Sequence, residues 1–343
     1  MRFNPIHTER LLLRHMGSQD ADSLAARRND PEVARYQAWP SPFPLERAQE
    51  MVTELGDMAG PANDQWWMAA VERTDIGKVI GDLGVRLSWE GRCAEIGYTF
   101  DPKHWGSGFA VEATSALVAW LFDHPEVTRV FGMLHPDNTA SARVLERVGM
   151  RYEGHTRNSY WVGEENSDDW IYGMTPEDHH AWIDRPRHTP ETVTWVPVDH
   201  SNERAVHKLQ THWTQREFVA PMEASYTDAL FPEIVGGEPV EPWMRAVYAD
   251  GELVAFVMLA RVTDAHPEPY LWRLLVDRLH QRRGIGRRIL DLVVEECREW
   301  GADTLVTSWV PGRGTPEPFY LSYGFEPTGQ IIDDEVEARL AFA

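Results

Sequence analysis

An eight-residue segment in the second half of the chain combines glycines with cations, the combination that binds a phosphate group. It reads Gln281-Arg282-Arg283-Gly284-Ile285-Gly286-Arg287-Arg288, and it lies between an apolar stretch typical of a strand and an amphipathic stretch typical of a helix. Glycines let the main chain turn tightly and bring its N–H groups against phosphate oxygens, and the start of a helix adds the positive end of a dipole. The arginines add positive charge for an anionic ligand. The segment therefore predicts an anion-binding loop.

Other interpretations of this loop are a dinucleotide-binding turn, a P-loop and a plain turn before a helix. The first needs three glycines in G-x-G-x-x-G, and Ile289 stands where the third would fall. A P-loop is excluded because no Gly-Lys-Ser/Thr follows. A plain turn would be the preferred interpretation of one such loop alone. A second loop at 103–110 contains Trp105-Gly106-Ser107-Gly108-Phe109-Ala110, and the repetition favours ligand binding.

The predicted elements around the two loops come in the same order twice. In the first half they are strands 66–71, 78–87 and 94–100, the loop, helix 111–122, strand 127–135 and helix 138–148. In the second half they are strands 246–248, 253–260 and 270–276, the loop, helix 287–299, strand 304–310 and a short helix 317–323. This order predicts an α/β protein of two duplicated domains. Around 175–192 three prolines interrupt the pattern, so the predicted domains are 1–175 and 193–343 with a linker at 176–192.

The composition excludes several classes of function. A net charge of -21 repels nucleic acid and anionic membranes and favours a cationic substrate, although solubility alone would also account for it. No apolar run approaches the ~20 residues of a membrane span, and the first residues lack the apolar core of a signal peptide. Cys93 and Cys297, one in each half, argue against disulfides and a structural zinc site. We therefore expect a cytoplasmic protein with no metal, no nucleic acid and no membrane partner.

Further motifs accompany each loop in a fixed order. In the second half they are TQREFVAP (214–221), YLWRLLVD (270–277) and PFYLSYGF (318–325), and in the first half they are AEIGYTFDPKHWGSGFAVEA (94–113), PDNTASARVLERVGMRYEG (136–154) and DDWIYGM (168–174). Together with Q-x-x-G-x-G after a strand, this series resembles two tandem members of the GNAT superfamily of N-acetyltransferases. Residues 193–343 are similar to its diamine/spermidine acetyltransferase branch, and residues 5–175 are similar to its ribosomal-protein alanine acetyltransferase branch.

The resemblance implies an α/β (α+β) fold in which each domain has a mixed, mostly antiparallel sheet flanked by helices. It implies acetyl-CoA as the cofactor and direct attack on the thioester by a primary amine of a small cationic molecule or a peptide N-terminus. The residues that it assigns to coenzyme A are Phe100, Lys103, Trp105, Gly106, Ser107, Gly108, Phe109, Ala110, Asn138, Leu275, Val276, Gln281, Arg282, Arg283, Gly284, Ile285, Gly286 and Arg287. At Lys103 the family more often has Gln or Arg. The alternative is that one domain is catalytic and the other only binds acyl-CoA or serves as a scaffold; a homodimer is also left open.

Acetyl transfer needs an acid for the leaving thiolate, and Tyr320 is the first candidate. The resemblance implies that this tyrosine protonates the sulfur, and the alternative is a packed aromatic beside the cofactor. In the first half Ser141 occupies the corresponding position, although a serine is a poorer acid and could instead hold a water. Asn138 would hydrogen-bond the pantetheine arm or, equally well, cap the following helix.

A base must also take a proton from the incoming ammonium. In the first half Glu95 lies on the strand that leads to the loop, where burial would raise its pKa, and the alternative is an exposed carboxylate. His104 and His135 are titratable there, but as lone histidines they are better explained as structural. In the second half some polyamine acetyltransferases place a glutamate near 270–273, and this sequence does not. The base of that domain is left unassigned.

Overall fold

The computed structural model describes residues 1–40, 42–162 and 165–342, which divide into two compact units. One unit ends at Ile183 and the other begins at Asp184, so the division falls inside the predicted linker 176–192. No helix of the described residues is long and apolar enough to cross a bilayer, and these residues contain no cluster of side chains that could hold a metal ion.

The first unit is built on an eight-stranded sheet. Its elements are β1 Ile6–His7, β2 Leu11–His15, α1 Ala21–Arg28, α2 Pro31–Ala34, α3 Leu45–Gly56, β3 Trp66–Arg73, β4 Lys78–Ser88, β5 Cys93–Phe100, α4 Phe109–Phe122, β6 Arg129–Leu134, α5 Thr139–Val148, β7 Arg151–Val162, β8 Glu165–Met174 and α6 Pro176–Asp184. The strand order is β1-β2-β3-β4-β5-β6-β8-β7, and every pair is antiparallel except β5 with β6. Five consecutive buried residues in β3, 67–71, show that both faces of this sheet are covered.

The second unit is built on a seven-stranded sheet. Its elements are β9 Val193–Pro197, α7 Glu203–Val206, α8 Met222–Leu230, β10 Ile234–Val235, β11 Glu238–Pro239, β12 Pro242–Ala249, β13 Glu252–Ala260, β14 Tyr270–Val276, α9 Ile285–Glu299, β15 Thr304–Trp309, α10 Glu317–Tyr323, β16 Glu326–Ile332 and β17 Glu335–Ala341. The strand order is β16-β17-β15-β14-β13-β12-β9, antiparallel except for β14 with β15, while β10 and β11 form a separate pair. One apolar cluster lies between the sheet and α9, and another lies between the sheet and the α7–α8 side.

The predicted fold class is confirmed in both halves, since each has a mixed, mostly antiparallel sheet flanked by helices. Two local predictions differ from the structure. The segment expected to be a linker begins with α6, whose Trp182 is buried against Gly149. The helix was missed because it is short and prolines follow it closely, so the sequence shows no sustained helical periodicity. The sequence pattern of residues 202–212 also predicts a helix, but only Glu203–Val206 are α-helical.

Candidate active sites

Each sheet opens at the same place, between its two parallel strands. In the second unit β14 and β15 pair only through Tyr270 with Val306 and Leu271 with Thr307. In the first unit β5 and β6 pair only over residues 93–95 and 129–131. Beyond these pairs the strands separate, so one edge of β5 and of β14 has free main-chain groups that a ligand can bind. Both strands lead directly into the glycine loops.

The loop after β14 is shaped to hold an anion. Gly284 has a φ of 77°, a left-handed conformation that favours glycine, and the first hydrogen bond of α9 runs from the N–H of Arg288 to the carbonyl oxygen of Gly284. The main-chain N–H groups of residues 285–287 therefore have no acceptor within the helix. A Cβ on Gly286 would lie 3.1 Å from the ring of Phe319, so a side chain there would crowd this end of the loop.

Two polar side chains of this loop brace it through hydrogen bonds. Arg283 is buried, and its guanidinium donates to the carbonyl oxygen of His188 at 2.9 Å and to Nδ1 of His280 at 2.9 Å. Gln281 donates to the carbonyl oxygen of Val276 at 3.2 Å, which fixes the loop to the end of β14. The side chains of these two predicted cofactor residues thus brace the loop. Gln281 also lines the adjoining cleft, whereas the buried side chain of Arg283 leaves only its main chain for a phosphate.

A cleft of about 1390 Å³ runs along this loop and passes between β14 and β15. The cations Arg282 and Arg287 line the cleft, as do Tyr320 on the α9 side of the sheet and residues 215–220, of which Val219 packs against the cluster on the α7–α8 side. Val276 lines it as well, whereas Leu275 is buried in the cluster on the α7–α8 side. The cleft therefore joins the predicted cofactor loop to a second approach from the other face.

Tyr320 lies where the two strands begin to separate. Its ring stacks on Trp309, with centroids 5.6 Å apart and planes 10° apart, and meets Phe325 edge-on at 5.4 Å. Burial raises the pKa of its phenol, against a hydrogen bond with Thr307 that lowers it. The phenol therefore stays protonated near neutral pH and can act as a donor, and its packing fixes where it points.

A β-bulge in β14 changes which of its side chains lie on the α7–α8 face of the sheet. The register with β13 shifts between Met258 and Leu259, which leaves Trp272 without a partner. A bulge of this kind brings two consecutive side chains onto one face. Arg273 accordingly lies beside Trp272, where its guanidinium donates to Asp228 of α8 at 2.8 Å. The stretch 270–273, where no glutamate is found, thus contains an arginine that is paired with an aspartate.

The loop after β5 has the same main-chain form. Gly106 has a φ of 75° and Gly108 has a φ of 83°, and α4 begins directly after them. The indole N–H of Trp105 donates to the carbonyl oxygen of Phe100 at 2.8 Å, so the Trp105 side chain ties the loop to its strand. Lys103 is exposed and pairs with Asp101 at 3.4 Å.

A partly buried contact from residues 8–10 braces this loop. The carboxylate of Glu112, in the first turn of α4, accepts from the hydroxyl of Thr8 at 2.6 Å and from the main-chain N–H of Arg10 at 2.8 Å. The Arg10 guanidinium also pairs with Glu112 at 2.6 Å and donates to the carbonyl oxygen of Ser107 at 3.0 Å. Burial raises the pKa of the Glu112 carboxyl, but these hydrogen bonds outweigh it and leave the pKa below its usual range. Glu112 stands out in the sequence only as an acid near a helix start.

Replacing Glu112 with alanine is expected to destabilise the first unit and to loosen its loop. The change removes the carboxylate that accepts from the Arg10 guanidinium and main-chain N–H, and losing hydrogen bonds to a charged group costs about 1.5–3 kcal/mol. Thermal unfolding measures the loss of stability. Calorimetric titration with coenzyme A measures whether the loosened loop binds the cofactor more weakly. The matched control is Glu46→Ala, an exposed acid in the first turn of α3. Equal unfolding temperatures for the two variants would contradict the bracing role.

Asn138 and Ser141 are tied to their own helix and to Tyr98. The Asn138 side chain caps α5, because it accepts from the main-chain N–H of Ser141 at 3.2 Å, which is the second of its two predicted roles. The Ser141 hydroxyl shares a hydrogen bond of 2.8 Å with the phenol of Tyr98, whose pKa burial raises. The sequence did not single out Tyr98, although it lies five residues before the loop on the strand that leads there. The first unit thus has a phenol, a group that can donate a proton, beside Ser141.

Two carboxylates of the first unit lie on strands: Glu95 at the last pair of β5 with β6, and Asp169 on β8 next to Trp170, which pairs with the end of β6. Glu95 is paired with Arg86, whose Nε lies 3.0 Å from the carboxylate, so this carboxylate already has a cationic partner on the neighbouring strand. Asp169 on β8 is 4% exposed and accepts from the hydroxyl of Ser159 at 2.9 Å. Burial raises the pKa of Asp169, opposed by that hydrogen bond and by His135.

His104 and His135 of this unit are both packed against aromatic rings. The ring of His135 stacks on Tyr36 at 5.2 Å, and His104 meets Phe109 edge-on at 6.0 Å.

Comparison with known proteins adds the family. Residues 10–151 match the model described as acetyltransferase (GNAT) domain, and residues 208–325 match the model described as acetyltransferase (GNAT) family. The uncharacterized N-acetyltransferase YoaA of Bacillus subtilis (strain 168) is 31% identical over 50% of this chain and 97% of its own length. This chain belongs to the GNAT acetyltransferases. The uncharacterized N-acetyltransferase p20 of Bacillus licheniformis is 33% identical over 45% of this chain and 85% of its own. A crystal structure of a GNAT-family acetyltransferase from Bacillus anthracis is 27% identical, with a TM-score of 0.46 over 51% of this chain and 99% of its own.

GNAT enzymes use acetyl-CoA, and the second glycine loop of this chain fits that molecule. The pyrophosphate needs hydrogen-bond donors and positive charge, which the N–H groups of residues 285–287 and the side chains of Arg282 and Arg287 offer. The pantetheine arm needs an extended path, and the opening between β14 and β15 offers one with a free strand edge. When bound, acetyl-CoA supplies an acetyl group activated as a thioester. The chain is an N-acetyltransferase.

Proposed function

We propose that the chain transfers the acetyl group to a primary amine on a small cationic molecule or a peptide N-terminus, and that it does so by direct attack of the amine. The cleft of the second domain carries this proposal, because it joins the glycine loop to the Tyr320 phenol and then opens on the other face of the sheet. Main-chain N–H groups at the end of β14, around Leu275 and Val276, would hold the acetyl carbonyl, and Tyr320 would protonate the leaving sulfur. The net charge of -21 favours the approach of a cationic amine.

A screen of amines tests this function. Acetyl-CoA consumption and acetylated product would be measured with polyamines, aminoglycosides and amino-terminal peptides. The variants Gly108→Glu and Gly286→Glu, assayed separately, assign turnover to a domain. Transfer to none of these acceptors by the wild-type chain would overturn the proposal.

A second candidate function has the first domain binding acetyl-CoA without turnover. The pairing of Glu95 with Arg86 favours it, because the predicted base is then already held in an ion pair. In that case Gly286→Glu abolishes all transfer, whereas Gly108→Glu leaves the rate unchanged. If both domains turn over, each variant removes part of the rate.

If the first domain is active, we propose Asp169 as its base in place of Glu95. Because burial raises the pKa of Asp169, the carboxylate ionises at a higher pH than an ordinary aspartate, and the rate should rise with pH through that raised value. Asp169→Asn, assayed in the Gly286→Glu chain, is expected to lower kcat by about 100-fold and to remove this rise. Asp168→Asn is the control, because the pKa of Asp168 is lowered by its hydrogen bonds from the Asn158 N–H and His155. An unchanged pH profile in Asp169→Asn would exclude the role.

A further inference from the structure

The second domain lacks a base in its sequence motifs, but three residues from three strands form a hydrogen-bonded chain in its cleft. We propose that Glu335 takes the proton of the acceptor ammonium through the hydroxyls of Ser308 and Tyr270. This inference rests on the proposed function, since it assumes that an amine enters the cleft. All three residues line that cleft.

The hydrogen bonds of the chain run in one direction. The phenol of Tyr270, on β14, donates to the hydroxyl of Ser308, on β15, at 2.6 Å. The Ser308 hydroxyl in turn donates to the carboxylate of Glu335, at the start of β17. The proton of each hydroxyl therefore points to the next residue toward Glu335, and its lone pairs are left to accept a proton from the other direction. A proton arriving at Tyr270 can move to Glu335 without rearrangement of the side chains.

The chain of three lies on the face opposite the proposed acid. Side chains alternate along a strand, and Leu271, Thr307 and Trp309 face α9 and Tyr320. Their neighbours Tyr270 and Ser308 therefore face the other way. Because β14 and β15 separate just beyond Leu271 and Thr307, the two faces communicate there. The acid and the proposed base thus lie on opposite sides of one opening, where sulfur and amine would meet.

Other acids near the cleft are less suited to this role. Glu268 is paired with Arg339 at 2.9 Å and accepts from Thr304 at 3.1 Å. Asp228 is paired with Arg273 at 2.8 Å. Glu217 and Glu233 also line the cleft, and both are exposed to solvent. Glu335 is the acid in the described cleft that hydroxyls connect to the opening.

The proton balance of the step is simple. The ammonium nitrogen loses one proton to the oxygen of Tyr270, Tyr270 passes its own proton to Ser308, and Ser308 passes its own to Glu335. The products are a neutral amine and a protonated carboxyl, and no bond to carbon changes. Glu335 then releases the proton to solvent.

Several charged or titratable groups act on Tyr270, so a pH profile must be read against all of them. Burial raises the pKa of its phenol, the hydrogen bond with Ser308 lowers it, Glu335 and Glu337 raise it, and Arg273 lowers it. Tyr320 of α10 also lies within electrostatic reach of Tyr270 and Glu335. Glu337 is the natural control, because it lies on the same strand as Glu335 but is bound by the Thr328 hydroxyl at 2.8 Å.

The decisive experiment compares Glu335→Gln with Glu337→Gln in the Gly108→Glu chain. Glu335→Gln is expected to lower kcat/KM for the amine by about 100-fold and to abolish the acidic limb of its pH profile, with coenzyme A affinity unchanged. Glu337→Gln is expected to keep both. Equal pH profiles for Glu335→Gln and the wild-type domain would overturn the inference, whereas no transfer by the wild-type chain would overturn the proposed function instead.

A second measurement needs no turnover. With tyrosine labelled at Cζ, the carbon resonance that is missing in Tyr270→Phe identifies Tyr270 in the wild-type spectrum. Glu335→Gln should move the alkaline titration of that resonance to lower pH, and more so than Glu337→Gln. The reason is that the negative charge of Glu335, which raises the pKa of the Tyr270 phenol, is lost. A titration that Glu335→Gln leaves in place would show that the three groups are not coupled, and it would overturn the inference even if transfer were slow for another reason.

Discussion

Replacing Gly286 with glutamate is expected to lower by one the number of coenzyme A molecules bound per chain. The new carboxylate would lie at the start of α9, beside the N–H groups proposed to hold the pyrophosphate, and its Cβ would lie 3.1 Å from the ring of Phe319. Two like charges ~4 Å apart near a protein surface repel by about 4 kcal/mol, which corresponds to about a thousandfold loss of affinity. Isothermal titration with coenzyme A measures the stoichiometry.

The control for this prediction is Gly154→Glu. Gly154 lies in β7 of the first domain, where nothing lies within 4 Å of an added Cβ and φ is not in the left-handed region. This variant adds the same charge at another glycine without strain, so coenzyme A stoichiometry should stay at the wild-type value. Full stoichiometry in Gly286→Glu would show that the loop at 281–288 is not a pyrophosphate site.

The glycine loops could be predicted from the sequence because their determinants are local. A left-handed turn, free N–H groups and a helix start all lie within eight residues, so the pattern Gln281 to Arg288 is visible in the chain itself. Which arginines of that loop are available to a ligand was less predictable. Whether an arginine faces a ligand depends on what else it can reach, and Arg283 reaches the carbonyl oxygen of His188, a residue 95 positions away.

The supports and the proposed bases could not be predicted, because they are made by strands that are distant in sequence. Glu112 is held by Arg10 across 102 positions. Ser308 and Tyr270 are 38 positions apart, and only the pairing of β14 with β15 brings them together. The bulge at Trp272 likewise decides which face Arg273 takes, and no residue type marks it. A search for a carboxylate close to the loop in sequence therefore finds Glu95, which the fold has paired with Arg86.

Removing the hydroxyl of Tyr320 should slow transfer by the second domain without weakening cofactor binding. In Tyr320→Phe the substituted ring could keep its stacking on Trp309 and its edge contact with Phe325, so the fold of the site is retained. Without a proton donor the leaving thiolate must be protonated by water, and we expect this variant to lower kcat by about 100-fold. Because burial raises the pKa of the phenol, the wild-type donor stays protonated through the alkaline range, and its ionisation should add no alkaline limb below its ordinary pKa.

The matched control for Tyr320→Phe is Tyr323→Phe, one turn further along the same helix. The Tyr323 phenol donates to Asp291 at 2.9 Å and lies outside the lining of the cleft, so its loss should leave kcat unchanged. Steady-state rates in the Gly108→Glu chain isolate the second domain, and titration with coenzyme A checks that affinity is kept. Equal rates for the two variants would show that Tyr320 only packs. A phenylalanine ring fills the same space as the tyrosine ring, but it has no hydroxyl from which a proton could be donated.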